Sequence, residues 1–160
     1  MPTLDDKYLH AFGYLISTFA RIEKGFLYFL EQATDLDFYQ LCILTAPYSA
    51  VDWENVLTAF LDQEGVTPED SGEMREVLAV WVGCRGLRNK IAHELWTSGE
   101  AKGAIKPIGM RNRGRVKLYG HEASEEELSY EQLAESCEQL DEAQRKLATL
   151  SKRWRNSIPE

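Results

Sequence analysis

Residues 4–33 carry apolar side chains at steps of three and four: Leu9, Phe12, Leu15, Ile16, Phe19, Ile22, Phe26, Leu27 and Leu30. That spacing predicts one long helix with a wide apolar face. Gly13 and Gly25 weaken it slightly or let a neighbouring helix approach closely. A shorter apolar segment follows over about 36–46 and stops before Pro47. Ser49 or Asp52 can cap the next helix, about 50–63, with Val51, Val56, Leu57, Phe60 and Leu61 facing inward and Gly65 ending it.

Thr67-Pro68-Glu69-Asp70 then has the form of a helix start, with proline in the first turn and acids beside the positive end of the dipole. The helix it opens, about 69–96, has Val77, Val80, Cys84, Leu87, Ile91 and Leu95 on one stripe. Arg85, Arg88, Asn89, Ala92, His93 and Trp96 form a second stripe beside it. Residues 97–120 break the pattern with repeated glycines, and 104–108 and 115–119 read as short segments joined by 109–114, a basic β-hairpin or ordered loop. Pro107 suits an edge strand. Ser129 caps a last helix, about 129–156, with Leu133, Cys137, Leu140, Ala143, Leu147 and Leu150 at heptad-like positions and Lys152, Arg153 and Arg155 complementing its dipole. The expected fold is mainly α, a helical bundle forming a single domain over residues 1–160.

Composition narrows the class. At 44% hydrophobic and 28% charged, the 160 residues suit an ordinary globular domain. Three widely spaced cysteines, Cys42, Cys84 and Cys137, argue for buried thiols in a reducing cytoplasm rather than a disulfide framework or zinc site. No secretory signal and no run long enough to span a bilayer is visible, so no membrane association is expected. No phosphate-binding glycine loop, metal-ligand spacing or nucleophile elbow is present, so no metal and no cofactor is expected. Net charge is -8, yet nine basic residues lie between Arg85 and Lys117 against only Glu94 and Glu100. Such asymmetry can focus an anionic ligand on one region, although it also fits a basic loop packed on an acidic neighbour.

Arg88-Asn89-Lys90-Ile91-Ala92-His93 places a permanent cation, an amide and an imidazole within about one and a half helical turns. Asn89 and His93 lie one turn apart on one face, and the long Arg88 side chain flanks them. This motif, late in an amphipathic helix of an all-helical chain, resembles the R-N-x-x-x-H signature of the HEPN family of helical domains. Phe19-Ala20-Arg21-Ile22-Glu23 also resembles the aromatic-x-x-x-Glu pattern of bacterial relatives in which a β-hairpin follows the motif helix.

The resemblance implies a HEPN-like bundle that pairs as a homodimer, with two motif helices facing a shared cleft. It implies metal-independent endoribonuclease activity, as in a bacterial toxin or defence effector controlled by a cognate antitoxin or regulatory protein. In that scheme His93 takes or gives a proton at the ribose 2′-hydroxyl or the leaving oxygen, work suited to an imidazole near neutral pH. Arg88 binds the scissile phosphate, Asn89 orients imidazole or phosphate, and Glu23 holds Arg88 or His93. Arg85, Lys90, Arg111, Arg113, Arg115 and Lys117 would meet the RNA backbone.

Plainer readings remain beside it. His93 can be a helix-end polar residue, Arg88 can pair with a carboxylate, and Trp81 and Trp96 suit a core or dimer contact. His10 and His121 suit the surface, and Glu125-Glu126-Glu127 a solvated connection. A non-catalytic HEPN-like module that binds nucleotide, RNA or protein is the alternative function, and a helical oligomer recruiting a partner through its last helix is a third.

Overall fold

The computed structural model describes residues 4–63, 66–113, 116–123 and 126–157, with side chains described over 4–63, 66–108 and 126–154. Within these the chain is mainly helical: α1 (Asp6–Ala33), α2 (Phe38–Thr45), α3 (Ala50–Leu61), α4 (Pro68–His93) and α5 (Tyr130–Ser157). Between α4 and α5 lie β1 (Leu95–Ser98), β2 (Ile105–Arg113) and β3 (Val116–Ala123), an antiparallel sheet in the order β1-β2-β3. The expected hairpin is β2–β3. No described helix is long and apolar enough to cross a membrane.

Local chemistry sets the helix starts. Ser49 and Asp52 both serve α3, as cap and as reciprocal partner: Asp52 N–H donates to Ser49 Oγ at 3.4 Å and Ser49 N–H donates to Asp52 Oδ2 at 2.7 Å. Asp37 and Gln40 do the same for α2. Thr67 Oγ1 accepts from Asp70 N–H at 3.1 Å ahead of Pro68, and Ser129 Oγ accepts from Gln132 N–H at 3.2 Å. The proposed end of α3 at Gly65 lies outside the described residues.

Four expectations need correction. The motif helix ends at His93, not near 96, because Leu95–Ser98 pair with Ile105–Ile108 as a strand. Leu95, assigned to the inner stripe, is consequently 55% exposed, and Leu9 and Val51 are exposed too. The segment 109–113, read as a link, is strand, with Arg111↔Leu118, Asn112↔Lys117 and Arg113↔Val116 in register. Its glycine is absorbed at a register shift between Ile108 and Met110, where a ladder tolerates a local irregularity. Pro107 sits in the central strand rather than an edge. Described β3 pairing begins only at Ile108, so the missing N–H removes no described β2–β3 bond.

The chain divides into two compact units, Met1–Ser17 with Gly86–Glu138, and Thr18–Arg85 with Gln139–Glu160. The first contains the sheet, the start of α1, the last turns of α4 and the start of α5. Its core gathers around Tyr8, Phe12, Leu15, Ile105 and Leu133, all buried. Tyr8 donates its hydroxyl to Gly103 O at 2.6 Å, which satisfies the polar end of a ring that is 2% exposed. Phe12 meets Trp96 at 5.1 Å, so the strand residue that follows the motif helix is held by α1.

The second unit packs aromatic residues of α1 on α3, α4 and α5. Trp81 stacks on Phe19 at 4.7 Å and meets Phe26 edge-on at 5.3 Å, while its indole N–H donates to Phe19 O at 3.3 Å. Phe29, Phe60 and Trp154 form a further cluster. Arg153 ties the end of α5 to Asp70 and Glu73 at the start of α4. The short α2 buries only Leu41 and leaves Tyr39, Ile43 and Leu44 exposed. None of the three cysteines forms a disulfide among the described residues; Cys84 and Cys137 are buried, and burial pushes the Cys84 thiol up, which disfavours the nucleophilic thiolate.

Candidate functional site

Arg88, Asn89 and His93 all fall in the first unit, on the last two turns of α4. At about 100° per residue, Asn89 and His93 share a face one turn apart, while Arg88 starts on a neighbouring side. A hydrogen bond brings Arg88 round: its guanidinium Nη1 donates to Asn89 Oδ1 at 3.0 Å. Arg88 is half-buried, whereas Asn89 and His93 are exposed. The helix end therefore presents an oriented cation, an amide whose oxygen is already occupied, and an accessible imidazole. Gly86 and Ala92 are exposed as well, so a strip of small side chains runs beside Asn89 and His93, and open space lies in front of Gly86.

The other predicted residues are distributed less simply. Lys90 is ion-paired with Glu126, whose carboxyl is held below the ordinary glutamate range by that hydrogen bond and charge. Arg85 belongs to the second unit and pairs with Glu54 at 3.8 Å. Glu23 is also in the second unit, half-buried on α1, and makes no hydrogen bond or ion pair among the described residues. Arg111 and Arg113 occupy β2 and Lys117 occupies β3; only their backbone positions are described. Arg115 lies outside the described residues, as does the His121 side chain, whereas His10 is exposed. No group of three or more His, Cys, Asp or Glu suited to a metal occurs among the described residues.

The acidic run before α5 is more than a solvated connection. Glu127 accepts backbone N–H groups of Glu100 and, at 3.0 Å, Ala101, which closes the turn between β1 and β2. A side chain at Gly99 would crowd this contact, because a Cβ would stand 2.8 Å from Glu127 Oε1 and 3.1 Å from the Ala104 carbonyl carbon. Glu125 lies outside the described residues. Nothing local in the sequence signals these contacts, since the partners are 26 and 27 positions apart.

These two N–H donors, with Lys106 nearby, hold the Glu127 carboxyl below the ordinary glutamate range. A depressed folded-state pKa stabilises the fold above the unfolded value and loses that contribution as pH falls through the folded one. Thermal melts should therefore show Glu127→Gln less stable than wild type at pH 7. The difference should shrink below about pH 4 as the wild-type carboxylate is neutralised. A difference that stays constant down to pH 3 would contradict this role.

Comparison with protein-family models, curated proteins and solved structures gives no match for this chain.

Proposed function

We propose that this protein is a HEPN-like, metal-independent endoribonuclease in which Arg88, Asn89 and His93 form the catalytic group. The observation that carries the reading is the Arg88–Asn89 hydrogen bond at 3.0 Å, on an exposed helix end with His93 one turn beyond Asn89. It supplies a phosphate-binding cation already turned toward the face of a proton-transfer group. Those are the two components that RNA transesterification needs and that a protein can provide without a metal.

In this mechanism an imidazole removes the 2′-hydroxyl proton, and the 2′-oxygen attacks the adjacent phosphorus. The bond to the 5′-oxygen breaks, and that oxygen takes up a proton from an imidazolium. Arg88 stabilises negative charge on the non-bridging oxygens, which grows in the transition state. Asn89 orients the imidazole or the phosphate. The products are a 2′,3′-cyclic phosphate and a 5′-hydroxyl, with no net consumption of water. One imidazole cannot serve attacking and leaving oxygens at once, so the reading includes a homodimer in which two His93 side chains share the roles. The exposed strip of Gly86, Asn89, Ala92 and His93 supports a close self-association across a two-fold axis. A cytoplasmic setting and control by an antitoxin-like partner belong to the same proposal.

A non-catalytic RNA- or nucleotide-binding module is the second reading. It is favoured by the ion pair that engages Lys90 and reduces the free positive charge beside Asn89. Both readings are separated by incubating the protein with structured and unstructured RNAs in excess EDTA across a dilution series. The nuclease reading predicts cleavage, with activity per chain falling as a dimer dissociates. Binding without cleavage, across RNAs that the protein demonstrably retains, selects the second reading.

A further inference from the structure

In the second unit, α1 and α5 border a groove of about 470 Å³, within the range of about 300–1,000 Å³ typical of small-molecule sites. Gly25 lets the α1 backbone settle on α5: a Cβ there would stand 2.6 Å from Leu147 Cδ2. Leu147 and Ala148 give the groove an apolar floor. Tyr28 stands as an aromatic wall, 45% exposed and braced by stacking on Phe38 at 5.0 Å. Lys24 Nζ lies 5.8 Å from the Tyr28 ring, so cation and ring are held as a pair.

The charges around this groove set it apart from the surrounding surface. In the second unit, Arg75, Arg85, Arg145, Lys146 and Arg153 are ion-paired. The three remaining cations with described side chains, Arg21, Lys24 and Lys152, make no ion pair among the described residues, and all three line this groove. Among the described residues, no carboxylate lines it. In a chain with 26 acidic residues against 18 basic ones, gathering three cations without ion pairs over an apolar floor gives the groove a positive character that favours an anion.

We propose that this groove binds a small amphipathic anion, an aromatic or otherwise apolar body bearing a phosphate or carboxylate group. The body lies on Leu147, Ala148 and Tyr28, and the anionic group meets Arg21, Lys24 and Lys152. This site is separate from the Arg88–His93 group and stands whether or not the protein cleaves RNA.

Calorimetric titration with 1-naphthyl phosphate and 1-naphthoate tests it, with 1-naphthol and inorganic phosphate as the two half-ligands. One site per chain is expected for at least one aromatic anion, bound at least tenfold more tightly than either half-ligand. The tighter anion identifies the head group. The Arg21→Ala/Lys24→Ala variant should weaken binding at least tenfold, since both side chains are exposed and make no ion pair on which folding depends. Ala148→Trp, at an exposed helix position, should block the groove without removing a cation, with helicity unchanged. No binding of either aromatic anion, equal binding of naphthol, or undiminished binding in folded samples of both variants would overturn the proposal.

Discussion

Replacing His93 with alanine should lower RNA cleavage about 100- to 10,000-fold while leaving the helices intact. The side chain is exposed at the last position of α4, so its loss does not open the core, and under the proposed mechanism it removes proton transfer. Stability should change by no more than about 0.5 kcal/mol. Arg88→Ala should lower cleavage about 100- to 1,000-fold, because a positioned donor to transition-state charge is lost. Arg88→Lys should recover only part of that loss. A lysine ammonium keeps the charge but lacks the planar fork that can hold Asn89 and a phosphate oxygen together. Single-turnover rates, with circular dichroism on each variant, read both effects. Rates within threefold of wild type for both alanine variants would remove the motif from the chemistry.

The largest loss of stability should come from Trp81→Ala. Trp81 is fully buried, stacks on Phe19, meets Phe26 edge-on and donates its indole N–H to the Phe19 carbonyl. Truncation removes that apolar contact area, leaves a cavity between α1 and α4, and strips the carbonyl of a donor. Such changes cost about 3–5 kcal/mol, a large part of the roughly 5–15 kcal/mol that holds a domain folded. Trp81→Phe should cost less, since it keeps an aromatic ring and gives up the hydrogen bond. Tyr39→Ala, at an 80% exposed position on α2, should change stability by about 0.5 kcal/mol or less. Urea denaturation ranks the three; a Trp81→Ala loss below about 1 kcal/mol would contradict the packing described for the second unit.

The helices were legible in the sequence because their determinants are local. Apolar steps of three and four outline α1 and α5, and Ser49/Asp52, Thr67/Pro68 and Ser129 announce three helix starts. The end of α4 was not legible, because the 3–4 spacing of Leu87, Ile91 and Leu95 runs on through it. What stops the helix is pairing of Leu95–Ser98 with residues 105–108, a non-local interaction that a periodicity cannot register. The same limit hid the role of Glu127, whose partners are far along the chain.

The candidate site was legible as a six-residue motif. Its local geometry was not, since Arg88 and His93 start on different sides of the helix and Arg88 meets Asn89 through a side-chain hydrogen bond that spacing does not register. The cationic groove was hidden for a further reason. Arg21 and Lys24 belong to α1 and Lys152 to α5, more than 100 residues away, and each reads alone as an ordinary surface charge.

The central claim is that His93 moves a proton during metal-free RNA cleavage. Its most direct test is end-group analysis of RNA incubated in EDTA with wild type and His93→Ala side by side, each verified as folded. The account predicts 2′,3′-cyclic phosphate and 5′-hydroxyl ends from wild type and at least a 100-fold slower appearance of both from the variant. Equal cleavage by the two proteins, or wild-type products bearing 5′-phosphate ends, would contradict it.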